Sequence, residues 1–225
     1  MQRPASYKEI LDVATKAVSI FAASKVSCCV TGDTACALYG TPRRPAHELD
    51  LLVLTNRYPR EKLEKHLVSA DPDFYLWSPR DAPPQHRVLC YKLPRAPGEA
   101  KRGCKVNVVL PDNIGMPVIL PSKVQRIDDL PVMPLLLLLF LKLQCWTDRR
   151  VTLRWYMRSK QHDEDVRDIR DLLVLVRSRG ECIDRDRLQW LPTPTVEAAI
   201  VRITEFVEAF PDTTTNWRVV GYAPR

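Results

Sequence analysis

The chain has 225 residues, of which 45% are hydrophobic and 27% charged, with a formal net charge of +7. That length allows one large domain or two small ones with a real core, and a basic balance favours anionic partners. Seven cysteines, an odd number with no C-x-x-C pair, exclude a disulfide framework and a zinc-finger spacing and point to a reducing, cytoplasmic setting. The segment Met1 to Ser6 carries no apolar signal core. The longest apolar run, Leu130 to Leu141, is too short to span a bilayer and holds Pro131 and Pro134. No membrane partner is expected.

Ser6-Tyr7-Lys8-Glu9 is a capping-box pattern, and Ile10, Leu11, Ala14, Ala17, Val18 and Phe21 follow at helical spacing. This predicts an amphipathic helix over 7–24. Ser27 to Thr31 reads as a short apolar strand ending at Gly32. Asp33 to Tyr39 reads as a short helix stopped by Gly40. A basic, Pro-bounded loop from Thr41 to His47 leads into a strand over Glu48 to Leu54.

In that strand Leu49, Leu51 and Val53 share one face, and Glu48, Asp50 and Leu52 share the other. A helix over Pro59 to Ala70 follows. Strands are expected over Phe74 to Trp77, Arg87 to Leu93 and Cys104 to Leu110, with a polar loop from Pro94 to Gly103. Lys123 to Ile127 reads as an edge strand. From about residue 130 the pattern turns helical, over 134–147, 163–179 and 195–210. Residues 1–130 therefore read as an α/β domain with a mixed sheet, and 131–225 as a helical C-terminal part packed on it.

The residues that carry chemistry gather around Gly32. A glycine where a strand meets a helix lets a phosphate approach backbone N–H groups. Thr34 lies in the same turn. Two carboxylates at alternate strand positions, Glu48 and Asp50, point the same way and can hold one or two divalent cations. Two such cations can clamp the attacking and leaving oxygens of a phosphoryl displacement. Arg43 and Arg44, in the loop before the carboxylates, are candidate phosphate contacts. Lys142 sits in an otherwise apolar helix, so its amine must meet water, an anion, or an acidic residue such as Asp165 or Asp168.

The stretch VTGDTACALYGTPRRPAHELDLLVL resembles the DNA polymerase beta-like nucleotidyltransferase superfamily, whose pattern is an apolar strand, Gly-Gly or Gly-Ser, a short helix, then two alternate carboxylates. Within it the chain looks like the minimal, abortive-infection-toxin type. LLFLKLQCWTDRR over 138–150 and Asp165-Val166-Arg167-Asp168-Ile169 are similar to the helical motifs of that type. The chain also resembles uncharacterised fungal proteins that share the arrangement around Leu130 to Pro134 and Asp165 to Ile169.

The resemblance implies metal-dependent transfer of a nucleoside monophosphate from an NTP, with Mg²⁺ or Mn²⁺ on Glu48 and Asp50. It aligns Asn107 with the third carboxylate of the site. Gly32, Asp33, Thr34, Arg43, Arg44 and Lys142 then fall to the nucleotide and its phosphates.

Two departures bear on activity. Asp33 stands where a second small residue belongs, either repelling a phosphate or capping the following helix. Asn107 can offer a carbonyl oxygen but cannot act as a base near neutral pH. The sequence thus leaves three functions open. They are nucleotidyl transfer, a catalytically silent binding or regulatory module on the same fold, and an enzyme repurposed for a small metabolite without NTP. An NTP or another anionic small molecule is the favoured partner, nucleic acid a less favoured one. The oligomeric state is not readable.

Overall fold

The computed structural model describes residues 3–42, 47–78, 87–98, 100–150, 155–184 and 186–223, with backbone alone for 155–162. These residues form an α/β fold of seven α-helices and a mixed seven-stranded sheet. They divide into two compact units. The first runs to Leu38 and resumes after the loop as far as Met133; the second comprises Tyr39–Pro42 and the chain from Pro134 onward.

The first unit opens with helix α1 (Tyr7–Ala23). Its capping box is formed. The Glu9 N–H donates to Ser6 Oγ at 3.3 Å, and the Ser6 N–H donates to Glu9 Oε2 at 2.7 Å. The helix buries Ile10, Val13, Ala14, Ala17 and Phe21. Strand β1 (Cys28–Thr31), helix α2 (Gly32–Tyr39), strand β2 (Glu48–Val53) and helix α3 (Arg60–Ala70) follow. Then come β3 (Phe74–Trp77), β4 (Val88–Leu93), β5 (Arg102–Val109), β6 (Gln125–Ile127) and β7 (Leu130–Val132).

The strand order is β3-β4-β5-β2-β1-β7-β6, which puts β2 at the centre, antiparallel to β1 and parallel to β5. Period-two alternation sorts the side chains. Leu49, Leu51, Val106 and Val108 are buried on the face against which α1 and α3 pack. Glu48, Asp50, Lys105 and Asn107 take the opposite face.

Two stretches differ from the sequence reading. Leu130 to Val132 is a strand rather than the approach to a helix. It pairs with β1 through Val30 and with β6 through a two-residue turn, Asp128-Asp129, whose φ angles are +48° and +62°. Such a turn matches the twist of a hairpin. Arg102 and Gly103, assigned to a loop, belong to β5, because Arg102 pairs with Leu93 and Gly103 with Lys92.

The second unit holds α4 (Leu135–Arg150), α5 (Trp155–Ser178), α6 (Thr193–Ala209) and α7 (Thr214–Val219). Helix α5 begins at Trp155 rather than Asp163. The leucine run of α4 is buried, as are Trp146 and Trp217. Trp146 meets Phe206 edge-on at 5.0 Å, and Phe206 meets Phe210 at 4.8 Å. Among the described residues, no helix is long and apolar enough to cross a membrane.

Candidate active site

Gly32 closes β1 and opens α2 with φ +63°, a left-handed conformation that side chains rarely adopt. A Cβ at this position would fall within 3.0 Å of Asp50 Oδ2, closer than real Cβ atoms come. Register explains the approach. Thr31, the residue before Gly32, is paired with Asp50 across the β1–β2 ladder. The sequence suggests that the glycine admits a phosphate. In the fold the group seated against it is the Asp50 carboxylate, so Gly32 fixes where Asp50 stands.

The opposite neighbour of β2 supplies donors. Parallel pairing sets Asp50 beside Asn107 and Glu48 beside Lys105. The Asn107 amide donates to Asp50 Oδ1 at 2.7 Å, and the Lys105 ammonium donates to Glu48 Oε2 at 2.7 Å. Asp50 and Asn107 are half-buried. Lys105 and Glu48 are open, with side chains 46% and 42% exposed. Each carboxylate of β2 therefore carries one donor from β5.

The remaining sequence candidates are placed as follows. Thr34 is fully buried, and its hydroxyl donates to the Glu48 carbonyl at 3.1 Å. It ties the first turn of α2 to β2 rather than facing a ligand. Asp33 lies inside the first turn of α2, exposed, where a negative charge complements the helix dipole. Lys142 is buried and its Nζ lies 2.8 Å from Asp168 Oδ2, an ion pair within the helical unit. Arg149 pairs with Asp165 in the same unit. Arg43 and Arg44 lie outside the described residues.

Lys105 is the residue the sequence reading passed over. One signal was available: it stands two positions before Asn107 and so shares its face. Its partnership with Glu48 depends on the parallel register of β2 and β5, which local pattern does not reveal.

No family model matches the sequence, and no curated protein matches it. Solved structures do. An antigenic nucleotidyltransferase-like protein from Paracoccidioides brasiliensis aligns over 96% of this chain and 95% of its own, with 20% identity and a TM-score of 0.68. The fold is the nucleotidyltransferase fold. A candidate nucleotidyltransferase from H. pylori aligns over 95% of this chain and 80% of its own, with 13% identity and a TM-score of 0.50.

The nucleotidyltransferase fold implies a divalent cation at the β2 carboxylates, and the donor set can be tested for it. Glu48 and Asp50 offer carboxylate oxygens and Asn107 an amide oxygen, hard ligands suited to Mg²⁺ or Mn²⁺. Charge limits the number of ions. Glu48, Asp50 and Lys105 together carry a single net negative charge. Among the described residues, no group of three or more His, Cys, Asp or Glu is placed to hold a metal. Glu48, Asp50 and the Asn107 amide oxygen are the residues that could together hold one cation.

Proposed function

We propose that this chain binds an NTP with one Mg²⁺ on the β2–β5 face and transfers its nucleoside monophosphate to an acceptor hydroxyl, breaking the bond between the α- and β-phosphates and releasing pyrophosphate. The carrying observation is the seating of Asp50 against Gly32 with Glu48 on the same strand face. In this reading Glu48 and Asp50 hold the ion, which when bound stabilises negative charge on the phosphate undergoing displacement. Asn107 orients Asp50 through its amide and takes no proton from the acceptor. Lys105 is long and half-exposed, so it can leave Glu48 for a phosphate oxygen when the ion arrives. Without a carboxylate at position 107, activation of the acceptor is weak and transfer is slow.

NTPs labelled at the α-phosphate test this directly. With Mg²⁺ and cell extract, wild type should move label onto an acceptor, and Asp50→Ala should not. Equal labelling by both proteins contradicts the reading.

The two β5 donors favour a second reading, a binding module without transfer. Lys105 and Asn107 each already occupy one oxygen of the carboxylates that a metal would need. That module would bind NTP yet move no label, and Asn107→Asp would leave it silent.

A further inference from the structure

The carboxylate face of the sheet continues past Lys105 into a hollow of about 710 Å³. Cross-strand pairing makes the continuity explicit. Tyr75 pairs with Cys90, Cys90 with Lys105, and Lys105 with Glu48, forming one row across β3, β4, β5 and β2. Residues directly opposite across a ladder share a face. Trp77 lies two residues from Tyr75 on β3 and shares that face.

Two properties of the lining are unusual together. Trp77 and Tyr75 are 52% and 38% exposed, an uncommon display of large rings on a sheet. Lys92, Arg95, Lys101 and Lys105 line the same hollow, and no carboxylate does so among the described residues. Asp73 offsets part of the Lys92 charge at 3.6 Å and Glu48 part of the Lys105 charge at 2.7 Å, but both pairs are open to water and weak.

The aromatic floor is built rather than incidental. Gly103 leaves room for the Tyr75 ring, since a Cβ there would sit 2.8 Å from the Tyr75 hydroxyl. Arg102 is buried and donates to the Pro94 carbonyl at 3.1 Å and to Glu9 at 2.9 and 3.0 Å. It thereby fixes the chain on both sides of the β4–β5 connection. Exposed rings give faces on which bases stack, and flanking cations meet the backbone phosphates. A single-stranded nucleic acid is the ligand that uses both.

We infer that the hollow lined by Tyr75, Trp77, Arg95, Lys101 and Lys105 is a binding site for single-stranded nucleic acid. From Tyr75 to Glu48 the row spans three strand spacings, about 14 Å, or roughly four stacked nucleotides. The site concerns binding alone and stands whether or not the carboxylates transfer nucleotides. It departs from the sequence reading, in which nucleic acid is the less favoured partner. The positive charges are scattered along the chain, and only the β-sheet gathers them around two exposed rings.

The test is fluorescence anisotropy of a labelled single strand of about 10 nucleotides with the full chain, without NTP or metal. The expected result is binding that weakens steeply between about 50 and 200 mM salt. Trp77→Ala should weaken it roughly tenfold. Lys101→Glu, at an exposed position, should weaken it and lower the salt slope by about 1. Duplex of the same sequence should compete poorly, because its bases are already stacked. Absence of binding at low salt, affinity unchanged in both variants, or equal competition by a mononucleotide or by duplex would overturn the assignment.

Discussion

Lys105 stands directly opposite Glu48 across the β2–β5 ladder, with its ammonium 2.7 Å from the Glu48 carboxylate. One step along the same two strands, Asn107 makes the equivalent contact with Asp50. The pairing turns a pair of like charges into two satisfied cross-strand pairs. It lets two carboxylates share a strand face in the absence of a bound cation. It also sets up a competition, because a divalent cation and Lys105 seek the same Glu48 oxygens.

That competition is measurable. Lys105→Met keeps the unbranched side chain as far as its last carbon and removes the charge. Mn²⁺ affinity should rise about fivefold, the equivalent of roughly 1 kcal/mol for an exposed pair. Calorimetric titration of Mn²⁺ into wild type and variant reads this, and equal affinities would show that the pair does not guard the site.

Asn107→Asp replaces a donor with a charge beside Asp50. Without cation the like charges should cost about 1–2 kcal/mol of stability. Mn²⁺ should restore that loss in the variant while shifting wild type less. Thermal melts with and without Mn²⁺ decide it. A variant as stable as wild type in chelator would contradict the placement of residue 107 against Asp50.

Gly32→Ala meets two obstacles, the positive φ and the Asp50 carboxylate. A loss of about 2 kcal/mol or more is expected in urea unfolding. Adding Asp50→Ala removes the carboxylate collision and leaves the backbone strain with a tight 3.3 Å approach to the residue 50 Cβ. The double variant should therefore be more stable than the sum of the singles predicts. Strict additivity would mean that Asp50 does not sit against Gly32.

Away from this site, Glu9 and Arg102 provide a pH signature. The Arg102 guanidinium beside Glu9, together with the Ser6 N–H, pulls the Glu9 pKa down to about 2. A depressed carboxylate contributes stability that is present above its ordinary value near 4.5 and lost as pH falls toward 2. Glu9→Gln should remove about 2 kcal/mol near neutrality and flatten the melting temperature between those two values. An acid profile identical to wild type would contradict the pair.

The sequence made the face of β2 legible because alternation is a local property. Glu48 and Asp50 had to lie on one side once Leu49 and Leu51 were buried on the other. The same holds for α1, whose capping box and apolar spacing are both local. Long-range pairing was not legible. Lys105 gains meaning only from the register with Glu48, and Gly32 only from the approach of Asp50. Strand β6 was legible as an edge strand within Lys123 to Ile127, but its hairpin with β7 was not, because Asp128-Asp129 lacks the glycine that usually marks such a turn, although both residues adopt positive φ. Lys142 is legible as a charge in an apolar helix that needs a partner, and Asp168, an acidic residue of the neighbouring helix, supplies it. Charge clustering was invisible as well. Lys92, Lys101 and Lys105 lie on two strands and their connection, and only the antiparallel pairing of β4 with β5 brings them together.

The central claim is that the β2–β5 face holds an NTP through a cation on Glu48 and Asp50. Calorimetric titration of NTPs with Mg²⁺ into wild type and Asp50→Ala tests it most directly. Binding to wild type should depend on Mg²⁺ and fall at least tenfold in Asp50→Ala, a loss of about 1.4 kcal/mol or more. Binding that is unchanged in Asp50→Ala, or no binding by wild type with Mg²⁺ present, would contradict it.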